Sequence, residues 1–412
     1  MEKNYLTQQF IEKFGRNPQF FQSAPGRVEL LGNHTDHQGG SVLAASVSMT
    51  MDAAFSPNGG STINIISEGF PSIRIDGKDL QPQQNEAGSS AALVRGIAAG
   101  FAQALAKKTR TTGLEGWTEV AQDIKSAGFD AFITSDVLPG SGLSSSAAFE
   151  VLIGRILRQT LEMQLGMGRC SIMDDVEIAK IGQKAENFYY GKPCGLMDQM
   201  ACSIGNIITI DFADASAPKV EQISFDFEKA GYALCVLDSG ADHAGLTEDY
   251  ASIPEEMNLV AAYFGKQQLS KVKPENAIIS GRPSPELISA VGLRPALRAF
   301  HYFQEVFRVK KAVNALNRND ITTFLDQVNA SGLSSRDVLQ NMISSSHPEN
   351  KKYFEAYEFV RKLLDGRGAV RINGGGFAGT ILVFVPKDRL TEFQSEAEAV
   401  LGPNTCHILK IG

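Results

Sequence analysis

A two-domain fold mixing α and β structure is predicted here by three observations. The chain has 412 residues, more than one hydrophobic core commonly serves. Strand-like and helix-like patterns follow one another along its whole length, which places it among α/β or α+β folds. A glycine-rich turn joins one of those strands to a long helix, a connection such folds use to hold ligands.

The elements follow in order. Leu6, Phe10, Ile11 and Phe14 recur at helical spacing, so the chain should open on a short amphipathic helix. The same stretch holds Glu2, Lys3, Glu12 and Lys13 and no apolar core, so it is not expected to be a signal peptide. Residues 79–90 are polar, with a proline and a glycine, and read as a loop. Leu93, Val94, Ile97, Phe101 and Leu105 then form one apolar stripe of a helix. Residues 128–138 read as a strand running into Pro139, and a helical pattern runs from about Ser145 to Leu165. Residues 206–212, 232–238 and 380–386 are strand-like, the last strongly apolar. A helix is expected near 296–317, with Phe300, Phe303 and Phe307 on one face and Arg308, Lys310 and Lys311 among its polar positions. The Ala/Ser/Pro content of residues 213–227 suggests a domain boundary there.

Composition narrows the function. The chain is 43% hydrophobic and 21% charged, as in ordinary soluble globular proteins. Lys plus Arg number 39 against 46 Asp plus Glu, a net charge of −7, which argues against nucleic acid or an anionic membrane as the main partner. No apolar run approaches the roughly 20 residues of a membrane helix. Cys170, Cys194, Cys202, Cys235 and Cys406 are scattered and odd in number, the pattern of free thiols in a reducing compartment. A cytoplasmic location is expected.

Four segments concentrate chemistry. Pro139-Gly140-Ser141-Gly142-Leu143-Ser144-Ser145-Ser146 lies between strand and helix. Glycines let successive N–H groups converge on an anion, and the helix start adds its dipole. The serine hydroxyls can donate to phosphate oxygens or bind Mg²⁺. A plain turn with serine caps would look similar. It is not a Walker A loop, because no Gly-Lys-Ser/Thr closes it. Residues 24–40 place Arg27, Asn33, His34, Asp36 and His37 between glycines. That density of polar side chains suits a polyhydroxylated ligand. His34, Asp36 and His37 are also possible metal ligands, but match no common zinc spacing. Residues 185–199 set Glu186 and Asp198 on either side of a Gly/Pro turn. One carboxylate could hold Mg²⁺ while the other accepts a proton from an acceptor hydroxyl; two surface acids are the bland alternative. Asn373-Gly374-Gly375-Gly376-Phe377-Ala378-Gly379-Thr380 is a glycine loop entering the apolar strand.

In this order the four segments resemble the galactokinase family of the GHMP kinase superfamily. That family opens with Gly-Arg-Val-Asn-Leu-Ile-Gly-Glu-His-Thr-Asp-Tyr. It continues with Pro-x-Gly-x-Gly-Leu-Ser-Ser-Ser-Ala and Gly-x-x-Asp-Gln, and closes with Gly-Gly-Gly-Phe-Gly-Gly. The resemblance spans residues 20 to 387, with softer matches at Asp238-Ser239-Gly240 through Asp249-Tyr250 and at His301, Glu305 and Arg308.

The resemblance implies an α+β, two-domain GHMP kinase fold. An N-terminal mixed α/β domain would cover 1–222 and a C-terminal ferredoxin-like domain 223–412, with the active site in the cleft between them. It implies transfer of the γ-phosphoryl group of ATP to the C1 hydroxyl of galactose. Asp198 and Arg27 would be catalytic, and Gly140, Ser141, Gly142, Leu143, Ser144, Ser145 and Ser146 would wrap the ATP phosphates. Ser146 (or Ser145) and Glu186 would bind Mg²⁺. Asn33, His34, Asp36, Gly195 and Tyr250 would face the sugar. The chain departs from the family at Asn33 (family Glu) and His37 (family Tyr). Asn373, Ala378 and Thr380 stand for Thr, Gly and Cys, and after Tyr250 the sequence runs Ala-Ser-Ile-Pro. Rival readings are a kinase for galacturonate or an amino sugar, and a non-catalytic sugar- and ATP-binding regulator. Intact Arg27, Asp198, Glu186 and Ser146 argue against the regulator.

Overall fold

The amphipathic start folds as its spacing requires. Helix α1 (Lys3–Phe14) buries Leu6 and Phe10 against Ala54 and Phe132. The structure is a computed structural model and describes residues 3–112, 127–137, 140, 142–164, 173–214, 216–242 and 245–412. It divides into two compact units. The first comprises Met1–Gly26, Met49–Leu138 and Ser144–Ile204; the second Arg27–Ser48, Pro139–Leu143 and Gly205–Gly412. Chain order and unit membership therefore differ, because residues 27–48 fold with the second unit. Strands β1 (Phe20–Leu31) and β2 (Ser41–Pro57) each give part of their length to each unit.

In the first unit, β3 (Thr62–Ser67) pairs antiparallel with β4 (Ile73–Asp76). Helix α2 (Ser90–Thr112) follows, and β5 (Phe129–Ser135) then pairs parallel with β3 and antiparallel with β2 from Met51 to Pro57. A parallel pair needs a long crossover, and α2 lies within it. Helices α3 (Ser145–Gln164), α4 (Asp175–Ala185) and α5 (Met197–Ile204) pack with α2 into one group. Small residues let α2 and α4 approach closely: a Cβ at Gly96 would lie 2.7 Å from Ala185 and one at Gly100 2.6 Å from Ile181. Helix α4 starts on a capping box, with Asp174 accepting from the Glu177 N–H and Glu177 from the Asp174 N–H. It runs on into one wide π turn, Glu186–Tyr190, closed by the Gly191 N–H on the Glu186 carbonyl at 3.0 Å. Such turns are frequent at functional sites.

In the second unit, β6 (Ile207–Asp211) pairs with β2 from Ser41 to Ala45 and with β7 (Lys219–Ile223). Four more strands form an antiparallel sheet: β8 (Tyr232–Asp238), β9 (Ala369–Ile372), β10 (Thr380–Pro386) and β11 (Cys406–Leu409), in the order β9-β10-β8-β11. All seven residues of β10 are buried. Ile381 and Val383 pack with Tyr353, Tyr357 and Phe393. Phe384, on the opposite face, meets Phe227 and Phe324 at ring-centroid distances of 5.0 and 5.3 Å. A strand covered on both faces reads as an unbroken apolar run, which is why 380–386 stands out in the sequence. Helices α6 (Thr247–Tyr263), α7 (Leu293–Asn317), α8 (Ile321–Ser334), α9 (Lys352–Leu363) and α10 (Leu390–Leu401) complete the unit.

The three phenylalanines of helix α7 lie off its most buried face. Phe307 is 58% exposed, and Phe300 and Phe303 are only half-buried. The buried face instead carries His301 and Glu305 among alanines. Buried polar groups are tolerated when paired, and these are. His301 donates from Nε2 to the Asn33 carbonyl at 3.0 Å and accepts at Nδ1 from Ser334 at 2.9 Å. Glu305 accepts from the Gly32 N–H at 3.0 Å, from Ser331 at 2.6 Å and from Arg308 at 2.6 Å. Burial pushes the His301 pKa down to about 4, with Glu305 pulling the other way. Glu305 is held down to about 2: burial works to raise it, and His301, Arg308, Arg371 and the Ser331 hydrogen bond outweigh that.

These shifts set the acid side of stability. Burial, with the His37 charge, lowers His34 to about 3, and burial lowers His37 to about 4. The unfolded chain, with histidine near 6.5, then binds protons that the folded chain refuses. Stability contributed by the neutral histidines is complete above pH 6.5 and is lost as pH falls toward 4. We expect a loss on the order of 1–2 kcal/mol per buried histidine between pH 6.5 and 5, measured by urea unfolding. In His301→Gln the slope over that window should fall by roughly a third; equal slopes would show that His301 does not titrate as described.

Candidate active site

Second-unit residues are built around the end of β1. Gly32 turns the chain there with φ of 108°, and a Cβ at that position would lie 2.6 Å from the Val42 Cα, so only glycine fits. The turn is closed by the Thr35 N–H on the Gly32 carbonyl at 3.0 Å. His34 follows with a positive φ of 56°, a strained value for a side-chain-bearing residue and common at binding loops. Asp36 begins a short 3₁₀ turn and is half-buried near His34.

The glycine loop at 374–376 is held carbonyl by carbonyl. Asn33 donates Nδ2 to the Gly374 carbonyl at 2.7 Å. His34 donates Nε2 to that of Gly375 at 3.0 Å, shared with Asn341 at 2.9 Å. The Tyr250 hydroxyl donates to that of Gly376 at 2.7 Å. Three of the residues expected to face a sugar thus grip one loop. The loop must be glycine at 376, where a Cβ would lie 2.3 Å from the Asn341 carbonyl. Asn33 has its amide fully engaged: Nδ2 also faces Glu29 at 3.3 Å, and Oδ1 accepts from Asn341 at 2.9 Å and Ser335 at 3.3 Å. Arg27 is buried and donates to the Gly142 carbonyl, while its N–H binds the Leu143 carbonyl at 3.0 Å. Asn373 also donates to Gly142, at 3.0 Å. Gly142 and Leu143 of the serine-rich turn are therefore fixed in the second unit, next to Arg27.

In the first unit, the remainder of that turn meets the two acids. Ser144, with φ of 59°, donates to Asp198 Oδ2 at 2.5 Å. Asp198 is half-buried in the first turn of α5. Ser145 and Ser146 open α3, and Ser146 lies 3.5 Å from Glu186 Oε1. Glu186 is buried in the π turn, paired with Lys192 at 3.1 Å and receiving Gln199 Nε2 at 2.9 Å. The same Gln199 nitrogen donates to Glu150 at 3.0 Å. Burial, then the nearby Glu186 charge, raises the Glu150 carboxyl well above the usual range, which favours its protonated form. Gly195 lies half-buried in the segment leading to α5. Gly140 is exposed with φ of 73°; Ser141 lies outside the described residues, as does Cys170.

The structure brings Ser144 to Asp198 and Ser146 to Glu186 in one unit, and gathers Arg27, Asn33, His34, Asp36 and Tyr250 in the other. Among the described residues, no group of three His, Cys, Asp or Glu side chains is placed to hold a metal ion, so His34, Asp36 and His37 do not form the alternative metal site. Sequence reasoning missed Glu29, Arg371, Asn341, Lys192 and Gln199. Arg371 could have been found, as a lone charge in the apolar stretch Ala-Val-Arg-Ile.

Known proteins match this arrangement along the chain. The family model for the galactokinase galactose-binding signature matches residues 8–57, and that for the GHMP kinases N terminal domain matches residues 114–206. A galactokinase of Actinobacillus pleuropneumoniae serotype 5b is 30% identical over 93% of this chain and 90% of its own. One from Glaesserella parasuis serovar 5 is 29% identical over 93% and 89%. The crystal structure of Lactococcus lactis galactokinase complexed with galactose superposes with a TM-score of 0.77 at 23% identity, over 99% of this chain and 98% of that one. The Methanococcus jannaschii mevalonate kinase gives 0.62 at 13% identity, over 95% and 98%. These structures share the fold, a mixed α and β GHMP kinase architecture. With sequence identity of this level running over nine-tenths of both chains and the signature segments in register, the chain belongs to the galactokinase family.

Proposed function

We propose that the protein transfers the γ-phosphoryl group of ATP to the C1 hydroxyl of galactose, giving galactose 1-phosphate and ADP. The observation that carries the reading is the first-unit cluster. The serine turn reaches a helix-terminal carboxylate through Ser144 and Asp198, and a second carboxylate through Ser146 and Glu186. Phosphoryl transfer asks mainly for positioning and charge neutralisation. Asp198 takes the role of holding the acceptor hydroxyl and receiving its proton, with Ser144 fixing its orientation. Arg27 faces the transferring group, and residues 140–146 wrap the phosphates.

The donor set at Glu186 suits Mg²⁺: one buried carboxylate and one hydroxyl 3.5 Å apart, hard oxygens that leave most of the coordination to phosphates and water. When bound there, the ion would supply positive charge against the phosphate oxygens. Lys192 and Gln199 hold Glu186 by its two oxygens and fix its aim. The sugar side draws on His34, Asp36, Tyr250 and Gly195, with Asn33 acting through the glycine loop it holds. Neutral His34 spends its Nε2 proton on Gly375, and its other nitrogen, an acceptor, faces His37 Nε2 at 3.4 Å. A carboxylate acceptor such as Asp36 suits sugar hydroxyls and repels a uronate carboxylate, which favours galactose over galacturonate. The four described cysteines are free thiols, and among the described residues no helix is long and apolar enough to cross a membrane. A cytoplasmic location fits both.

A panel of sugars scored by ADP release tests the reading: kcat/KM should be highest for galactose, and a preference for galacturonate would replace the substrate. Asp198→Asn keeps the size but cannot take a proton. It should lower kcat by about 10²–10⁴ while nucleotide affinity, titrated directly, stays near that of the wild type; near-normal turnover would remove Asp198 from the mechanism. Glu186→Gln should raise the Mg²⁺ concentration for half-maximal rate by about tenfold or more. An unchanged metal dependence would place the ion elsewhere.

A further inference from the structure

His34 and His37 lie in a hydrogen-bonded chain whose two ends are backbone groups. At one end the Leu269 N–H donates to Gln38 Oε1 at 3.1 Å. A backbone N–H can only donate, so Oε1 is the acceptor of that amide and Nε2 its donor. Nε2 donates to Asn258 Oδ1 of α6 at 2.7 Å and faces His37 Nδ1 at 3.4 Å. His37 Nε2 lies 3.4 Å from His34 Nδ1, with the ring centroids 5.5 Å apart and the planes inclined at 68°. At the other end His34 Nε2 lies 3.0 Å from the Gly375 carbonyl, which can only accept. Every member belongs to the second unit.

The two ends fix the proton on each ring. A neutral imidazole has one donor nitrogen and one acceptor. Starting at Gly375, His34 carries its proton on Nε2 and accepts at Nδ1. His37 must then donate from Nε2 and accept at Nδ1, which requires Gln38 to donate from Nε2. Starting at Leu269 gives the same assignment, so the two ends agree and every N–H points toward the glycine loop. Gln38 has no exposed surface, so its amide has no water to turn to. Burial keeps both rings neutral at pH 7. A second proton on either ring would set two donors face to face.

We propose that Gln38, His37 and His34 form a one-way hydrogen-bond relay tying residues 33–38 to α6 and to the glycine loop, in which His37 is the positioning residue that fixes the His34 ring. His37 touches His34 and Gln38 rather than a ligand. Its loss frees the His34 ring to turn and loosens the short turn that carries Asp36. Galactose should then be held less well, while the nucleotide, bound through other residues, should be held as before; this consequence rests on the proposed function.

The test uses the full chain with His37→Phe, which keeps a ring and removes both nitrogens, and His37→Gln, whose amide can accept from Gln38 and donate to His34. Nitrogen NMR on isotope-labelled histidines reports which nitrogen of each ring is protonated and needs no activity. In the wild type both His34 and His37 should be neutral with the proton on Nε2. His37→Phe should shift the His34 Nδ1 resonance, which loses its donor, and His37→Gln should move it back. In kinetics, His37→Phe should raise the galactose KM by about fivefold or more with the ATP KM within about twofold. His37→Gln should return the galactose KM to within about twofold of wild type. An Nδ1-protonated or cationic ring in the wild type at pH 7 overturns the relay, whether or not His37→Phe folds. So does a His37→Phe protein with an unchanged galactose KM, or a His37→Gln protein no better than His37→Phe. A wild type that ignores galactose would sink the proposed function instead and leave the relay to be decided by the NMR of the three proteins.

Discussion

A guanidinium with no exposed surface sets the terms for the second unit. Arg371 lies in a strand of the four-stranded sheet, where every neighbour along the strand is apolar and buried. A charge so placed must be answered locally, and Glu29 answers it at 2.8 Å. Burial presses the Glu29 carboxyl upward while Arg371 and Arg27 draw it down. Glu305 is held ionised partly by the same Arg371, and Glu305 in turn receives the Gly32 N–H. The turn that presents Asn33 and His34 is thus tied to a strand more than 300 residues away. Such a network is worth little as net stability against a well-packed apolar core. What it specifies is register: the backbone groups of 29, 32 and 33 each have one assigned partner.

The first unit handles an excess of negative charge. The Glu186 and Asp198 charges act on Glu150 through space, and like charges gathered in a low-dielectric setting repel strongly. Three devices hold them. Asp198 sits at a helix N-terminus and accepts the Ser144 hydroxyl hydrogen bond. Glu186 has Lys192. Glu150 is pushed toward its neutral form, and Gln199 bridges it to Glu186 with one nitrogen.

The sequence made legible what depends on local spacing. The apolar run at 380–386, the helix at 93–105 and the glycine-rich turns all follow from periodicity or from backbone freedom. The polarity of α7 was not legible in the same way: three phenylalanines on one face look like a core stripe, yet the core took His301 and Glu305 because Asn33, Gly32 and Ser331 were there to satisfy them. Nor could spacing reveal that Asn33 is spent on a carbonyl. Its partners Gly374 and Asn341 are about as far away in sequence as the chain allows. Family resemblance located the residues, but their hydrogen-bonding valence became known only once the distant segments met.

That last point explains the departures from the family signature. Asn33, Asn373 and Thr380 look like scattered changes when read along the chain, and the structure joins them through Glu29. Asn33 faces Glu29, the Glu29 N–H binds Asn373 Oδ1, and Asn373 Nδ2 lies 3.1 Å from Thr380 Oγ1. Asn33 takes its shorter bonds from Gly374 and Asn341, and Asn373 also donates to Gly142, so the altered side chains are satisfied by unaltered neighbours as well as by one another. A buried polar group that changes alone leaves a neighbour unpaired, so changes in such a network are tolerated as sets. His37 and Ala378 stand outside these bonds, so the linked set has a boundary. Glu29, Asn33, Asn373 and Thr380 therefore form one linked set of bonds within the second unit, whereas the Ser144–Asp198 and Ser146–Glu186 pairs belong to the first.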